Sequence, residues 1–300
     1  MKTHRHGWFL ALLLVGGLLA AGARPAPGAE VSKHHSLWKA SGPHCKLYLL
    51  GSIHFLKPEN YPLAEPIEQA FSNSQVVVFE TDIGIMEKPE LVMGKLMSKA
   101  MLPAGQTLDG QLSPKTYQLF SNYITSVGLP IAMFSQFKPG MAAMTLEAAE
   151  LQRLGFQADQ GVDVHFYRMA AKQAKTIIPL ETVDFQLDLV TGFSAEEGEL
   201  LVKTTLDEIE TTRKLIADLI TAWQTGDTAG TEKVLNSTKK DAPAIYKRLL
   251  TDRNDRWVPK LKELLAGDKN VIVIVGAGHL VGKDGVVEQL RRGGVKIVQE

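Results

Sequence analysis

The chain has 300 residues, 33 Lys and Arg against 33 Asp and Glu, and one cysteine. Balanced charge without a basic stripe argues against nucleic acid as a partner. A lone cysteine rules out an internal disulfide framework and a thiolate metal cluster. The length suffices for a large core in one domain or two intimate ones.

Lys2 and Arg5 precede an apolar run from Trp8 to Ala21, and small residues and prolines follow through Ala29. That is the order of a secretory signal peptide, with cleavage after Ala23 or Ala29. The run is short for a span of about 20 residues. The alternative is an uncleaved anchor. The expectation is export, periplasmic or secreted, with no stable membrane insertion after cleavage. Residues 30–300 then form the functional domain. Cleavage after Ala29 removes Lys2, Arg5 and Arg24 and leaves 30 basic against 33 acidic residues.

A hairpin is predicted from Leu37–Ala40 and Lys46–Gly51, with Cys45 in its turn. Its second strand ends in Gly51-Ser52-Ile53-His54. A helix over Tyr61–Ser72 leads to a buried strand, Val76–Phe79, that stops at Glu80. Asp82 is a second acid just beyond. Helices follow at Pro89–Met101, from Pro114 (capped by Ser113) to about Val127, and at Met141–Leu154. Met93, Met97, Met101, Met133, Met141 and Met144 fall here, either as core or as an adaptable groove. Gly161–Ala174 reads as a helix that Asp163 caps or serves from its first turn. Lys175–Leu180 reads as a buried strand ending at Glu181. Ser194 caps a long helix to about Thr225, with Glu196 and Glu197 in its first turn. Helices at Thr231–Leu235, Ala242–Leu250 and Asn254–Leu265 lead to a last strand, Val271–Val275, that runs into Gly276-Ala277-Gly278-His279. The helical middle therefore spans about residues 87–265.

The two ends of the chain resemble one another. LYLLGSIH (Leu47–His54) and VIVIVGAGH (Val271–His279) are apolar strands that stop at Gly-x-x-His. Ile67–Glu80 and Val287–Glu300 then align without a gap, each as helix end, turn and strand. Two related strand–loop–helix–strand units are expected, parallel within each unit. The fold class is α/β, a mixed central sheet built from these units with a large helical insertion between them.

Histidines beyond strand ends stand where open α/β sheets place their ligand crevice. His54, His279 and Glu80 make a two-imidazole, one-carboxylate set. Such a set suits a divalent metal and leaves a coordination position for water. It also works without metal, with histidine deprotonating water and glutamate fixing its tautomer. Arg253, beside Asn254, is a candidate to hold a substrate carboxylate or an oxyanion, or else forms a surface ion pair. His34, His35, His44 and His165 have no partner pattern. No Gly-x-Ser-x-Gly elbow, phosphate loop or His-Glu-x-x-His is present, and Gly276-x-Gly278 is a weak dinucleotide signal.

These motifs together resemble the TraB/GumN family, which includes the Tiki peptidases. The likeness rests on Leu37-Trp38-Lys39-Ala40, Gly51-Ser52-Ile53-His54, Phe79-Glu80, Gly161-Val162-Asp163, Leu180-Glu181-Thr182 with Gln186, Arg253-Asn254, Gly276–Gly282 and Gly293-Gly294, in that order. The resemblance implies an α/β fold related to erythromycin-esterase-like and haem-binding ChaN-like proteins. From the Tiki branch it implies a metal-dependent peptidase using His54, His279 and Glu80 with Mn, Co or Zn. The expected function is an exported metal-dependent hydrolase acting on a peptide or small molecule. The alternatives are a non-catalytic haem- or peptide-binding protein and a metal-free esterase.

Overall fold

Val271–Gly276 is buried at every position. A strand tolerates this only with partners on both edges and cover on both faces. The structure, a computed structural model, describes residues 34–209 and 211–300. The expected leader lies outside the described residues. The strands are β1 (Leu37–Ser41), β2 (Lys46–Ser52), β3 (Val76–Phe79), β4 (Thr176–Pro179), β5 (Val271–Gly276) and β6 (Ile297–Gln299). They form one mixed α/β sheet in the order β4-β3-β5-β2-β1-β6.

β4, β3, β5 and β2 run parallel, and β1 is antiparallel to both β2 and β6. The strands of each end unit are parallel as expected, but they are not neighbours. β5 lies between β2 and β3, while β2 and β1 lie between β5 and β6. The two units therefore interleave.

The helices are α1 (Glu65–Ser72), α2 (Ile83–Met86), α3 (Pro89–Ala100), α4 (Leu108–Gln111), α5 (Pro114–Ser126), α6 (Pro139–Arg153) and α7 (Val162–Lys172). They continue as α8 (Val183–Thr191), α9 (Ala195–Glu208), α10 (Thr212–Gln224), α11 (Thr228–Asp241), α12 (Pro243–Tyr246), α13 (Asp252–Leu265) and α14 (Val286–Arg292). Strand alternation divides the core between the two sheet faces. Leu49, Val78 and Val273 join α5, α6, α9, α13 and α14 on one face. Leu50, Val77, Phe79 and Ile274 join α1, α7 and α10 on the other. Connections from β2 through β3 to β4 lead one way along the sheet, and the connection from β5 to β6 leads the other way. The switch falls between β2 and β5, where doubly wound sheets open a crevice at the carboxyl ends of their strands.

Two local expectations change. The segment read as a buried strand at 175–180 is β4, an edge strand whose residues are half-buried or exposed. Its apolar run pairs only with β3. The helix read from Ala195 to Thr225 is two helices, α9 and α10. The sequence marks its start better than this break. Ser194 accepts from the Glu197 N–H, and Glu197 returns the bond, a capping box. The methionines divide as well: Met144 is buried in the core, whereas Met93 and Met133 are exposed.

Candidate active site

The four parallel strands each deliver a polar side chain to the same edge. His54 follows β2, Glu80 follows β3, Glu181 follows β4, and His279 closes the turn after β5. Because β5 lies between β2 and β3, Glu80 meets both histidines. Its Oε1 is 4.0 Å from His54 Nε2 and 3.8 Å from His279 Nε2. The same oxygen accepts the Gly276 backbone N–H at 2.7 Å.

Glycine at Gly276 keeps contacts loose rather than permitting an unusual turn, since its φ is −48°. A Cβ there would stand 3.3 Å from both Glu80 Oε1 and His54 Nε2. Gly51 is similar: a Cβ would lie 3.0 Å from Ala277. The two Gly-x-x-His turns thus pack against each other.

Second partners orient each imidazole. His54 Nδ1–H donates to Asp163 Oδ2 at 3.0 Å from the first turn of α7. His279 Nδ1–H donates to Asn254 Oδ1 at 2.7 Å, and the Asn254 amide is itself fixed by donating to the Asp284 carbonyl. Both rings therefore turn Nε2 toward Glu80. His54 Nε2 is buried and has no hydrogen-bond partner. Trp257, one turn beyond Arg253 on α13, packs against the His279 ring at 4.4 Å.

Arg253 is fully buried. It donates to Glu80, to both oxygens of Glu181, to the Leu249 carbonyl and to His279 Nε2 at 3.0 Å. Gln186 donates to Glu80 and Glu181, and Trp257 Nε1–H to Glu181 at 3.0 Å. With its donors engaged inside the protein, Arg253 holds Glu80 in place and does not line the pocket.

The charges follow from this arrangement. Burial opposes ionisation of Glu80, but Arg253, both imidazoles and the Gly276 N–H together hold its carboxyl well below the usual range. Burial likewise opposes a charge on His54, yet the Asp163 carboxylate prevails and the pKa is pushed up to about 9. Burial with Arg253 and His54 takes His279 down to about 3 despite Glu80. One histidine is cationic at neutral pH and the other neutral.

A pocket of about 230 Å3 opens beside His54, Glu80 and Asp163. Its far wall is apolar, formed by Met86, Val92, Met93 and Leu96. The structure therefore gathers His54, Glu80 and His279 into one cluster, with Arg253 and Glu181 behind it. Asp82 stands apart as the cap of α2, accepting the Ile85 N–H. Trp257, against His279, and Thr81 and Asp159, which line the pocket, escaped sequence reasoning. Trp257 alone left a trace, its spacing of four residues from Arg253 on one helical face.

The donor chemistry fits a divalent metal held by His54 Nε2, Glu80 Oε1 and His279 Nε2. The partnerless His54 Nε2 and the space that a Cβ at Gly276 would fill both support the fit. The ring bonds to Asp163 and Asn254 are the outer contacts that orient metal-binding histidines. Among the described residues, however, no group of three or more His, Cys, Asp or Glu stands ready to hold an ion. Arg253 Nη1 already uses the His279 lone pair, so ligation there requires the guanidinium to release it.

Fold and cluster define an α/β protein with a two-histidine, one-glutamate centre at a topological switch point. A model of the TraB/PrgY/gumN family matches residues 36–299, and the chain belongs to that family. It is 26% identical over 244 residues to YbaP of Escherichia coli (strain K12), covering 81% of this chain and 87% of that one. The match to YbaP of Shigella flexneri has the same extent and identity. Both relatives are described only as uncharacterized proteins. No solved structure matches.

Proposed function

We propose that this protein is a hydrolase, a metal-dependent peptidase, whose centre is the His54–Glu80–His279 cluster. The observation that carries the reading is the placement of one carboxylate oxygen between two Nε2 atoms beside the pocket. His54, Glu80 and His279 would hold the ion, which would supply Lewis-acid polarisation and a more acidic water. Asp163 and Asn254 keep both Nδ1 protons in place, which turns Nε2 of each ring toward Glu80 for ligation once Arg253 releases His279. Arg253 and Gln186 keep Glu80 ionised and oriented. Uptake of the ion displaces the proton from His54 Nε2, so binding is proton-coupled. Substrate enters along the apolar wall of α2 and α3.

A second reading rests on the His54–Asp163 hydrogen bond of 3.0 Å. Paired imidazole and carboxylate form a general base without metal, and with His54 raised to about 9 this reading predicts a rate that climbs with pH up to that value. Haem is a poorer occupant, because about 230 Å3 falls below the roughly 300–1,000 Å3 of pockets for drug-sized ligands. We place the activity outside the cytoplasm on the strength of residues 1–29. Amino-terminal sequencing of the mature protein is expected to begin after Ala23 or Ala29.

Purified protein should cleave members of a peptide library, lose that activity in chelator and regain it with Mn, Co or Zn. His54→Ala and His279→Ala should each fold and lose roughly 100-fold or more in rate. Activity that survives chelator but falls in Asp163→Asn would transfer the proposal to the metal-free reading. Full activity in both histidine variants would overturn both readings.

A further inference from the structure

The pocket beside His54 carries recognition chemistry of its own. Four buried polar atoms on its lining residues have no hydrogen-bond partner: His54 Nε2, Thr81 Oγ1, Asp159 Oδ1 and Asp163 Oδ1. Thr81 is only 7% exposed. Leaving a buried group unsatisfied is unfavourable, so a small side-chain movement that lets a ligand pair these atoms is favoured. Carboxylate oxygens accept and cannot donate. Whatever meets Asp159 and Asp163 must therefore donate.

The charges point the same way. The lining holds the carboxylates of Glu80, Glu87, Asp159 and Asp163, with His54 and Arg168 as its basic groups. Arg168 pairs with Glu87, His54 with Asp163, and Glu80 with Arg253. Arg168 reaches Asp159 only at its backbone carbonyl. Among the described residues no cation pairs with the Asp159 side chain. Met86, Val92, Met93 and Leu96 give the same pocket an apolar end.

We propose that this pocket is a subsite for an apolar side chain carried beside a protonated amine, as at the hydrophobic amino-terminal residue of a peptide, with Asp159 receiving the ammonium. The proposal deepens the hydrolase reading and rests on it for the reaction, though not for binding. A buried hydrogen bond to a charged group discriminates more sharply than apolar contact alone.

The test is titration calorimetry with L-leucine amide, N-acetyl-L-leucine amide and glycine amide on the full-length protein. Leucine amide should bind saturably, with acetylation and loss of the side chain each weakening binding at least about tenfold. Asp159→Asn, at a half-buried turn, should bring the amine and acetyl forms within about twofold of each other at unchanged Tm. Met93→Ser, on an exposed face of α3, should weaken leucine amide while keeping the amine preference. Equal binding of the two leucine probes to the native protein, no binding of any probe, or a preference that survives in Asp159→Asn would overturn the subsite. Failure to cleave leucyl peptides, with the binding preference intact, would remove the hydrolase reading and leave the subsite standing. Cleavage without the preference would do the reverse.

Discussion

Gly276 controls the geometry of the centre, because a Cβ there would press on Glu80 and His54 at 3.3 Å and push them by a few tenths of an ångström. Gly276→Ala is expected to keep a native-like Tm and lose roughly tenfold or more in rate, since small misplacements of reacting groups are costly. Arg253 acts on stability. Removing one partner of a buried ion pair costs about 3–5 kcal/mol, and Arg253→Ala strands both Glu80 and Glu181. Urea denaturation should show a loss of that order. Arg253→Lys should not restore it, because one ammonium cannot reproduce the fork that reaches Glu80, Glu181, His279 and the Leu249 carbonyl. The histidines fix the pH behaviour of chelator-treated protein. His54 is raised from 6.5 to about 9, so its contribution is full below 6.5 and is lost as pH rises through about 9. Asp163→Asn should flatten stability over that window.

At the scale of elements, the packing of α6 against α9 contains a buried acid. Both carboxyl oxygens of Glu147 lack hydrogen-bond partners. Burial, with Glu208 adding to it, pushes its pKa well above the ordinary 4.5. A protonated acid in the fold and an ionised one in the unfolded chain reverse the usual carboxylate linkage. Stability is then full below about 4.5 and falls by about 1.4 kcal/mol per pH unit above it, until the folded group ionises. Glu147→Gln should remove that slope and raise Tm at neutral pH. Sequence periodicity shows that α6 is amphipathic, but it does not show that an acid faces inward. The same limit explains the two revised elements. β4 has the composition of an interior strand, and only the sheet order makes it an edge. The 195–225 segment keeps helical character through residues where the chain nevertheless starts a new helix.

For the whole molecule, interleaving of the two end units is the decisive feature. β5 is the shared neighbour of β2 and β3, so neither half holds a complete sheet. A chain ending at Gly267 lacks β5, β6 and His279. It is expected to show no cooperative unfolding transition by circular dichroism, where the full chain shows one. The final strand adds closure, as β6 pairs with β1 and Lys39 meets Glu300 at 2.6 Å. Among the described residues no helix is long and apolar enough to cross a membrane.

The amino-acid order by itself determined the α/β class, the paired Gly-x-x-His turns, the strand-end position of Glu80 and the ordered motifs of the family. These are local signals, written in apolar periodicity and in residues that stop strands. Only the tertiary structure decided that His54 and His279 face the same carboxylate oxygen, that Arg253 points inward to Glu80 and Glu181, and that Asp159 stands unpaired on a pocket wall. Those relations depend on strand order, and strand order is set by burying both faces of β5 at once, a long-range requirement that no window of sequence contains.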